Sequence, residues 1–344
     1  MLNTATMLDT NNSFLLLLRR GAMNKVVLIA SIAAGVGLAA TAAWQFKYHL
    51  YGYLPATSSE VLTNQDGLML GENGQPFTGR AKTITDSGYS VYSYQDGQLE
   101  GLNVVFSEGR LREIGHWLKG EQNGLFQSWT SEGILVDHAP FKDGAREGQT
   151  IQYYADSGKL KVKADYKAGK LHGMVEQYFP SGALQFKHLF VDHQLHGEAL
   201  DYFENGHLKS SVVFDHGVQH GAYKIFADDG QILEAGSLDQ GVRHGPFVFY
   251  FPKTGKIAMQ GNFEHNQYHG EVTFYRPDGT KIVQNYEHGV AQGYQYTYSP
   301  QGALLGKIMM HQGKASREEY ATYNAQGQSI EQDRALKSTT PPKE

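Results

Sequence analysis

Five histidines are the residues with the clearest chemical potential. His172, His196, His220, His244 and His269 each stand directly before a glycine, at steps of 24 or 25 residues. A column of imidazoles could form a ladder for a metal ion or a proton-sensitive edge. Identical side chains on successive copies point in parallel, however, and do not converge on one ion. No carboxylate keeps register with them in the linear sequence. The row therefore reads as a turn residue repeated by duplication, and no metal site or cofactor is expected. A second set is aromatic. Tyr223, Phe247, Phe249, Tyr294 and Tyr296 lie outside the fixed registers described below and cluster late in the chain. They are the candidate partner-binding residues, because aromatics not needed for packing are the natural anchors of a groove.

Other chemistry is missing from the sequence. There is no P-loop, no Gly-x-Ser-x-Gly and no His-Glu-x-x-His. The absence of cysteine removes disulfides, thiolate zinc sites and a thiol nucleophile. A formal charge of −5 gives no pull toward nucleic acid. A catalytic set would have to be unique in a chain made of near-copies, so a non-enzymatic protein with no small-molecule substrate is expected.

The positioning elements follow from glycine. Forty glycines against ten prolines, with 21 tyrosines and 17 phenylalanines, suggest turns between many short strands. One register runs Gly79, Gly101, Gly124, Gly148, Gly173, Gly197, Gly221, Gly245, Gly270 and Gly293. A second follows eight to ten residues later, as at Gly206, Gly230 and Gly279. A third lies four residues before the first, as at Gly97, Gly217 and Gly241, with His193 and Asn266 replacing it twice. Five residues after the first glycine comes an aromatic, as at Phe106, Tyr153, Tyr202 and Tyr298. Two after the second comes an aliphatic, as at Leu160, Leu208 and Ile232. A further aromatic precedes the next first-register glycine by seven, as at Tyr166, Phe214 and Phe263.

Each unit reads as two strands. Asn205-Gly206, Asp229-Gly230 and Asp278-Gly279 are expected as two-residue hairpin turns with both residues at positive φ. A glycine-containing turn such as Asp96-Gly97 or His216-Gly217 returns the chain. The expected fold is all-β. It is an elongated array of about eleven hairpin repeats with a period of about 24 residues, occupying 67–330. Strands about 4.8 Å apart would make a twisted single-layer antiparallel ribbon on the order of 100 Å long. The periodic aromatics are expected to be core: Tyr202→Ala should cost about 3 kcal/mol, and Tyr294→Ala less than about 1 kcal/mol.

Residues 26–46 carry no charge and are flanked by Lys25 and Lys47. That length suits a membrane-spanning helix, and Arg19, Arg20 and Lys25 place residues 1–25 in the cytoplasm. The alternative is a cleaved signal peptide starting at Met23, with residues 1–22 an over-extended start. Either reading places the rest outside the cytoplasm, with a formal charge of −8 beyond residue 47. Residues 47–66 are expected as a spacer and 331–344 as a solvated tail.

Gly169-Lys170-Leu171-His172-Gly173 and Glu204-Asn205-Gly206-His207-Leu208-Lys209 resemble the variant MORN (membrane occupation and recognition nexus) repeat. So does the opening Pro76-Phe77-Thr78-Gly79. Bacterial proteins of the YwqK-type antitoxin family are built of such units. The resemblance implies hairpin repeats, scaffolding, protein partners and, in the antitoxin family, neutralisation of a toxin. With an exported array, the first expectation is a membrane-anchored protein-binding scaffold of the inner membrane, its repeats in the periplasm and its partner an envelope component. The alternatives are an antitoxin that binds a toxin, and an envelope carbohydrate- or lipid-binding module; a secreted or periplasmic form would follow from signal cleavage.

Overall fold

Turn chemistry sets this architecture, and one repeat shows how. In a computed structural model, which describes residues 9–10, 13–16, 28–31, 48, 51–324 and 328–330, the strand Gly197–Tyr202 pairs antiparallel with Leu208–Asp215. That strand pairs in turn with Val218–Phe226. The first connection is not the expected two-residue turn. The Gly206 amide donates to Phe203 O at 2.9 Å, and the Phe203 amide donates to His207 O at 2.8 Å. Gly206 has φ +88, while Asn205 stays at negative φ. Asn205 Oδ1 accepts from the His207 amide at 3.0 Å. Asp229 and Asp278 do the same for Gln231 and Thr280, at 2.9 and 2.8 Å. A side chain that captures the amide two residues on favours an ordinary turn, and leaves only the glycine left-handed.

The two-residue turns with paired positive φ are at the third register. His216 and Gly217 have φ +47 and +84, and Asp215 pairs directly with Val218. This conformation matches the twist of the flanking strands. His193 and Asn266 adopt φ +73 and +66 in the glycine's place, so the two substitutions keep the turn. These turns also stack. The Gly217 amide donates to Leu195 O at 2.8 Å, Gly241 to Gln219 O at 2.8 Å and Asn266 to Arg243 O at 2.9 Å. Gly289 and Gly313 repeat the pattern on Tyr268 O and Ala291 O, each at 3.0 Å. Each of these repeats therefore gains a bond to the residue just past the previous turn, beyond its strand ladder.

The described chain divides into units Met1–Ile134 and Leu135–Glu344. Both are built from antiparallel hairpins of consecutive strands. In the second unit the periodic aromatics sort into two pairings. Tyr153, Tyr178, Tyr202, Phe226, Tyr250 and Tyr298 each face the aliphatic across their own hairpin, as in Tyr202↔Leu208. Tyr166, Phe190, Phe214, Phe263 and Tyr286 each face a first-register glycine. These rings are half-buried, except Phe263, which is 7% exposed.

The fully buried column lies elsewhere, two residues after the first-register glycine. It comprises Thr150, Val175, Ala199, Tyr223, Phe247 and Val272, none more than 7% exposed. Its members differ in size, and their cross-strand partners compensate. Thr150 and Val175 both face Ala164. Tyr223 and Phe247 face Gly236 and Gly261, two glycines outside all three registers. A Cβ at Gly236 would lie 2.8 Å from the Tyr223 ring. Phe247 continues into a cluster with Phe263, Tyr268 and Tyr286, with successive ring centroids 4.3, 5.1 and 5.3 Å apart.

In the first unit Val91, Val104, Phe106, Leu111 and Ile114 form the core, and Phe106 stacks on Tyr89 at 4.8 Å. Of the expected spacer 47–66, the described residues 48 and 51–66 pack against the first hairpins. Tyr48 is buried in that core, Tyr51 packs against it, and Tyr51 Oη donates to Leu102 O at 3.0 Å. The Arg80 guanidinium lies 4.1 Å over the Tyr51 ring and also donates to Tyr51 O. Thr57–Ser58 pairs in parallel with Ala81 and Lys82, covering the edge of the strand Gly79–Thr85. Apolar side chains of the lead-in thus complete the first hairpins.

The expected helix at 26–46 lies outside the described residues, apart from Leu28–Ser31, which pairs as a strand with Ser13–Leu16. Among the described residues no helix is long and apolar enough to cross a membrane. The tail at 331–344 is also outside them.

Candidate functional site

The five candidate aromatics do not share one surface. Tyr223 and Phe247 are 6% and 2% exposed, so they are core residues and line no groove. Their irregularity in sequence reflects size matching with Gly236 and Gly261. Phe249 is half-buried against Phe247, ring centroids 5.2 Å apart, with the Arg243 guanidinium 5.8 Å above it. Side chains alternate along a strand, so Tyr294 and Tyr296, one and three residues past their glycine, take the opposite parity. They line up with Tyr298 along Val290–Tyr298, with centroid separations of 6.1 and 6.3 Å. Lys307 Nζ lies 4.8 Å over the Tyr294 ring, and Lys281 Nζ 5.1 Å over Tyr298. This half-buried ladder of three phenols and two ammonium groups offers stacking, hydrogen-bond donors and positive charge together.

Buried charge in the second unit is internally matched. Tyr223 Oη donates to Glu234 Oε1 at 2.5 Å, and Arg243 Nη2 donates to the same oxygen at 2.7 Å. Burial, then the hydrogen bond and charge of Glu234, push the Tyr223 phenol up to about 12, with Arg243 opposing. Four repeats earlier the arrangement recurs, with Arg146 Nη2 3.5 Å from Asp137 Oδ2. There burial raises the Asp137 carboxyl, and the Arg146 charge partly offsets it. In both places the arginine also lies over flanking rings: Phe141 and Tyr166 at 5.8 and 5.5 Å, Phe249 and Phe263 at 5.8 and 5.4 Å. In each pair the carboxylate is the more buried partner, and the arginine covers it from the partly exposed side.

The histidine row gains partners that the linear sequence conceals. Because the turns stack, the histidine before each first-register glycine meets the following turn. His172 Nδ1 lies 3.5 Å from Asp192 Oδ1, His196 Nδ1 3.5 Å from Asp215 Oδ1 and His220 Nδ1 3.1 Å from Asp239 Oδ1. His269 takes Glu264 instead, at 3.0 Å. Carboxylates therefore do keep register with this row, 19 or 20 residues downstream for the first three. A second set of histidines sits on the turns themselves. Ring centroids are 5.3 Å apart for His196 and His216, 5.7 Å for His244 and His265, and 6.0 Å for His269 and His288. The available signal was an acidic residue two before the third-register position, at Asp215, Asp239, Glu264 and Glu287. It becomes meaningful only once the turns are known to stack.

Comparison with known proteins identifies the repeat. Residues 195–216 match the family model described as MORN repeat variant. That span runs from the turn-stacking carbonyl of Leu195 to the next two-residue turn. It supports MORN-type hairpins as the building unit. No curated protein matches the sequence. Among solved structures, the chain is similar to one titled "Crystal Structure of TcdB2-TccC3-TEV", at 10% identity and a TM-score of 0.17. The alignment covers 92% of this chain and 19% of that one. A superposition at that level carries no weight for fold or function.

Proposed function

We propose that the chain is a non-enzymatic scaffold whose repeat array binds another protein, with residues 26–46 holding it at a membrane and the array on the outer face. The observation that carries this reading is the ladder of Tyr294, Tyr296 and Tyr298 beside Lys281 and Lys307. It concentrates anchor-type side chains on one strand without using them in the fully buried column. Tyrosines are among the usual energetic centres of protein interfaces. Tyr223 and Asp137, both shifted by burial, pair with Arg243 and Arg146 as parts of the packing.

The test is capture from intact envelopes by wild-type chain and by a Tyr294→Ala/Tyr296→Ala variant, with co-purifying proteins identified in both. A partner retained by the wild type and lost by the variant is the expected result. Equal capture by both would remove the ladder from the reading. A toxin polypeptide as the captured partner would convert the scaffold into an immunity-type protein of the antitoxin kind.

A further inference from the structure

We propose that the stacked-turn edge of the second unit holds one divalent transition ion of the zinc class, ligated by His196, Asp215 and His216. Among the described residues, these three bring one ligand atom each to within 4.8 Å of one another. Asp215 Oδ1 is central, 3.5 Å from His196 Nδ1 and 2.6 Å from His216 Nδ1. Two ligands at about 2.0–2.2 Å from a tetrahedral ion lie roughly 3.3–3.5 Å apart; the His196–Asp215 separation already matches that, and the His216–Asp215 hydrogen bond must open to admit the ion. His196 Nδ1 is shielded from water and makes no hydrogen bond among the described residues. Its nearest charged group is Asp215 Oδ1, at 3.5 Å. Two imidazoles and a carboxylate select zinc-like ions over calcium or magnesium, which prefer oxygen shells. The fourth position is left for water.

Neighbouring repeats show why the site is single. At His172 the turn supplies Asp192 and His193, but His193 Nδ1 accepts the Leu171 amide at 3.3 Å. At His220 the turn residue after Asp239 is Gln240, which offers no imidazole. At His244 and His265 the nearby carboxylate, Glu264, is drawn 3.0 Å from His269. At His269 the next turn carries the equivalent Glu287 and His288, but His269 Nδ1 is drawn 3.0 Å from Glu264. Among the described residues only His196, Asp215 and His216 bring three ligand atoms within 4.8 Å of one another.

The experiment uses full-length, tag-free protein in detergent micelles, with Zn²⁺ followed by equilibrium dialysis and Co²⁺ as the optical probe. One saturable Zn²⁺ per chain is expected, with Co²⁺ showing the intense visible bands of tetrahedral coordination. His216→Asn keeps a residue that accepts the left-handed turn. It should weaken Zn²⁺ binding by at least about tenfold, since even outer-shell changes cost that much. Asp215→Asn and His196→Gln should do the same. His288→Asn, at the equivalent turn position of another repeat with φ +48, is the matched control and should leave affinity unchanged. Mg²⁺ in excess should not compete. Absence of a saturable site, equal losses in His216→Asn and His288→Asn, or full affinity in Asp215→Asn would each overturn the proposal.

Discussion

Gly236→Ala tests whether size matching across strands builds the core. Gly236 lies outside the left-handed region, so alanine meets no conformational penalty there. Its Cβ would sit 2.8 Å from Tyr223 Cε1 and Oη and 2.9 Å from Cζ. Carbon atoms in contact rest at about 3.5–4.0 Å, so the ring must retreat by roughly 0.7 Å or more. It cannot retreat freely, because its hydroxyl is bonded to Glu234 and its face is buried. Overpacking of this kind costs about 2 kcal/mol. Tyr223→Ala alone should cost about 3–4 kcal/mol through the cavity it leaves. In the double variant the clash disappears and the added methyl partly fills the cavity, so the total should fall short of the sum by at least about 1 kcal/mol. Gly206→Ala is the contrast. Its Cβ meets nothing within 4 Å, but its φ is +88, so its cost of about 1 kcal/mol is conformational and Tyr223→Ala should not relieve it. The assay is the urea midpoint, by circular dichroism, of chains beginning at Lys47. Additivity of Gly236→Ala and Tyr223→Ala within about 0.5 kcal/mol would refute the size-matching argument.

Three further outcomes follow from named contacts. Tyr202 is half-buried opposite Leu208, so Tyr202→Ala should cost about 1–2 kcal/mol, less than a fully buried ring would; a loss as large as that of Tyr223→Ala would restore the periodic aromatics as the main core. Removing residues 47–59 strips Tyr48 and Tyr51 from Val91, Val104 and Phe106, and a chain beginning at residue 60 should melt at lower temperature than one beginning at 47; identical melting would return this segment to a spacer. The Tyr223 phenol is raised in the folded state to about 12 from 10.0. Its contribution to stability is complete below pH 10 and is lost as pH rises through 12. Tyr223→Phe should therefore lose less stability between those values than wild type, and an unchanged alkaline profile would count against the Glu234 contact.

Legibility followed backbone geometry. Positive φ at Gly217 or Gly206 admits few residue types, so glycine recurs in nearly every copy, with only His193 and Asn266 in its place at the third register, and the period shows plainly. The core column is hidden for the opposite reason. Thr150, Ala199 and Phe247 occupy one structural position, because a sheet needs constant volume across a pair of residues and places no demand on either alone. A reading based on recurrence therefore assigns Phe247 to a surface when its constancy lies in the pair with Gly261. The histidine–carboxylate contacts were hidden by distance: Asp215 follows His196 by 19 residues, and only the bond from Gly217 to Leu195 brings their turns together.

The same division indicates where specific chemistry can arise in a chain of near-copies. Glycine positions fixed by φ and positions fixed by paired volume are unavailable for it, because any change there is felt as strain or as a cavity; the turn residue beside the third-register glycine is also left-handed, yet admits Asp, Lys, His and Gln alike. The open positions are the turn residue beside each third-register glycine and the alternating side chains one and three after each first-register glycine. At the first, His216 completes a constellation with His196 and Asp215 that Gln240 interrupts one repeat later. At the second, Tyr294 and Tyr296 extend a line ending in Tyr298, where the equivalent residues beside Tyr202 are Glu198 and Leu200. Each candidate differs from its neighbours by one or two side chains on an unchanged backbone. Exchanging those side chains between repeats, Tyr294 and Tyr296 for Glu and Leu, should therefore move binding without moving the denaturation midpoint by more than about 1 kcal/mol. A larger loss of stability would mean that the ladder is packing after all, and that the array's binding surface lies elsewhere.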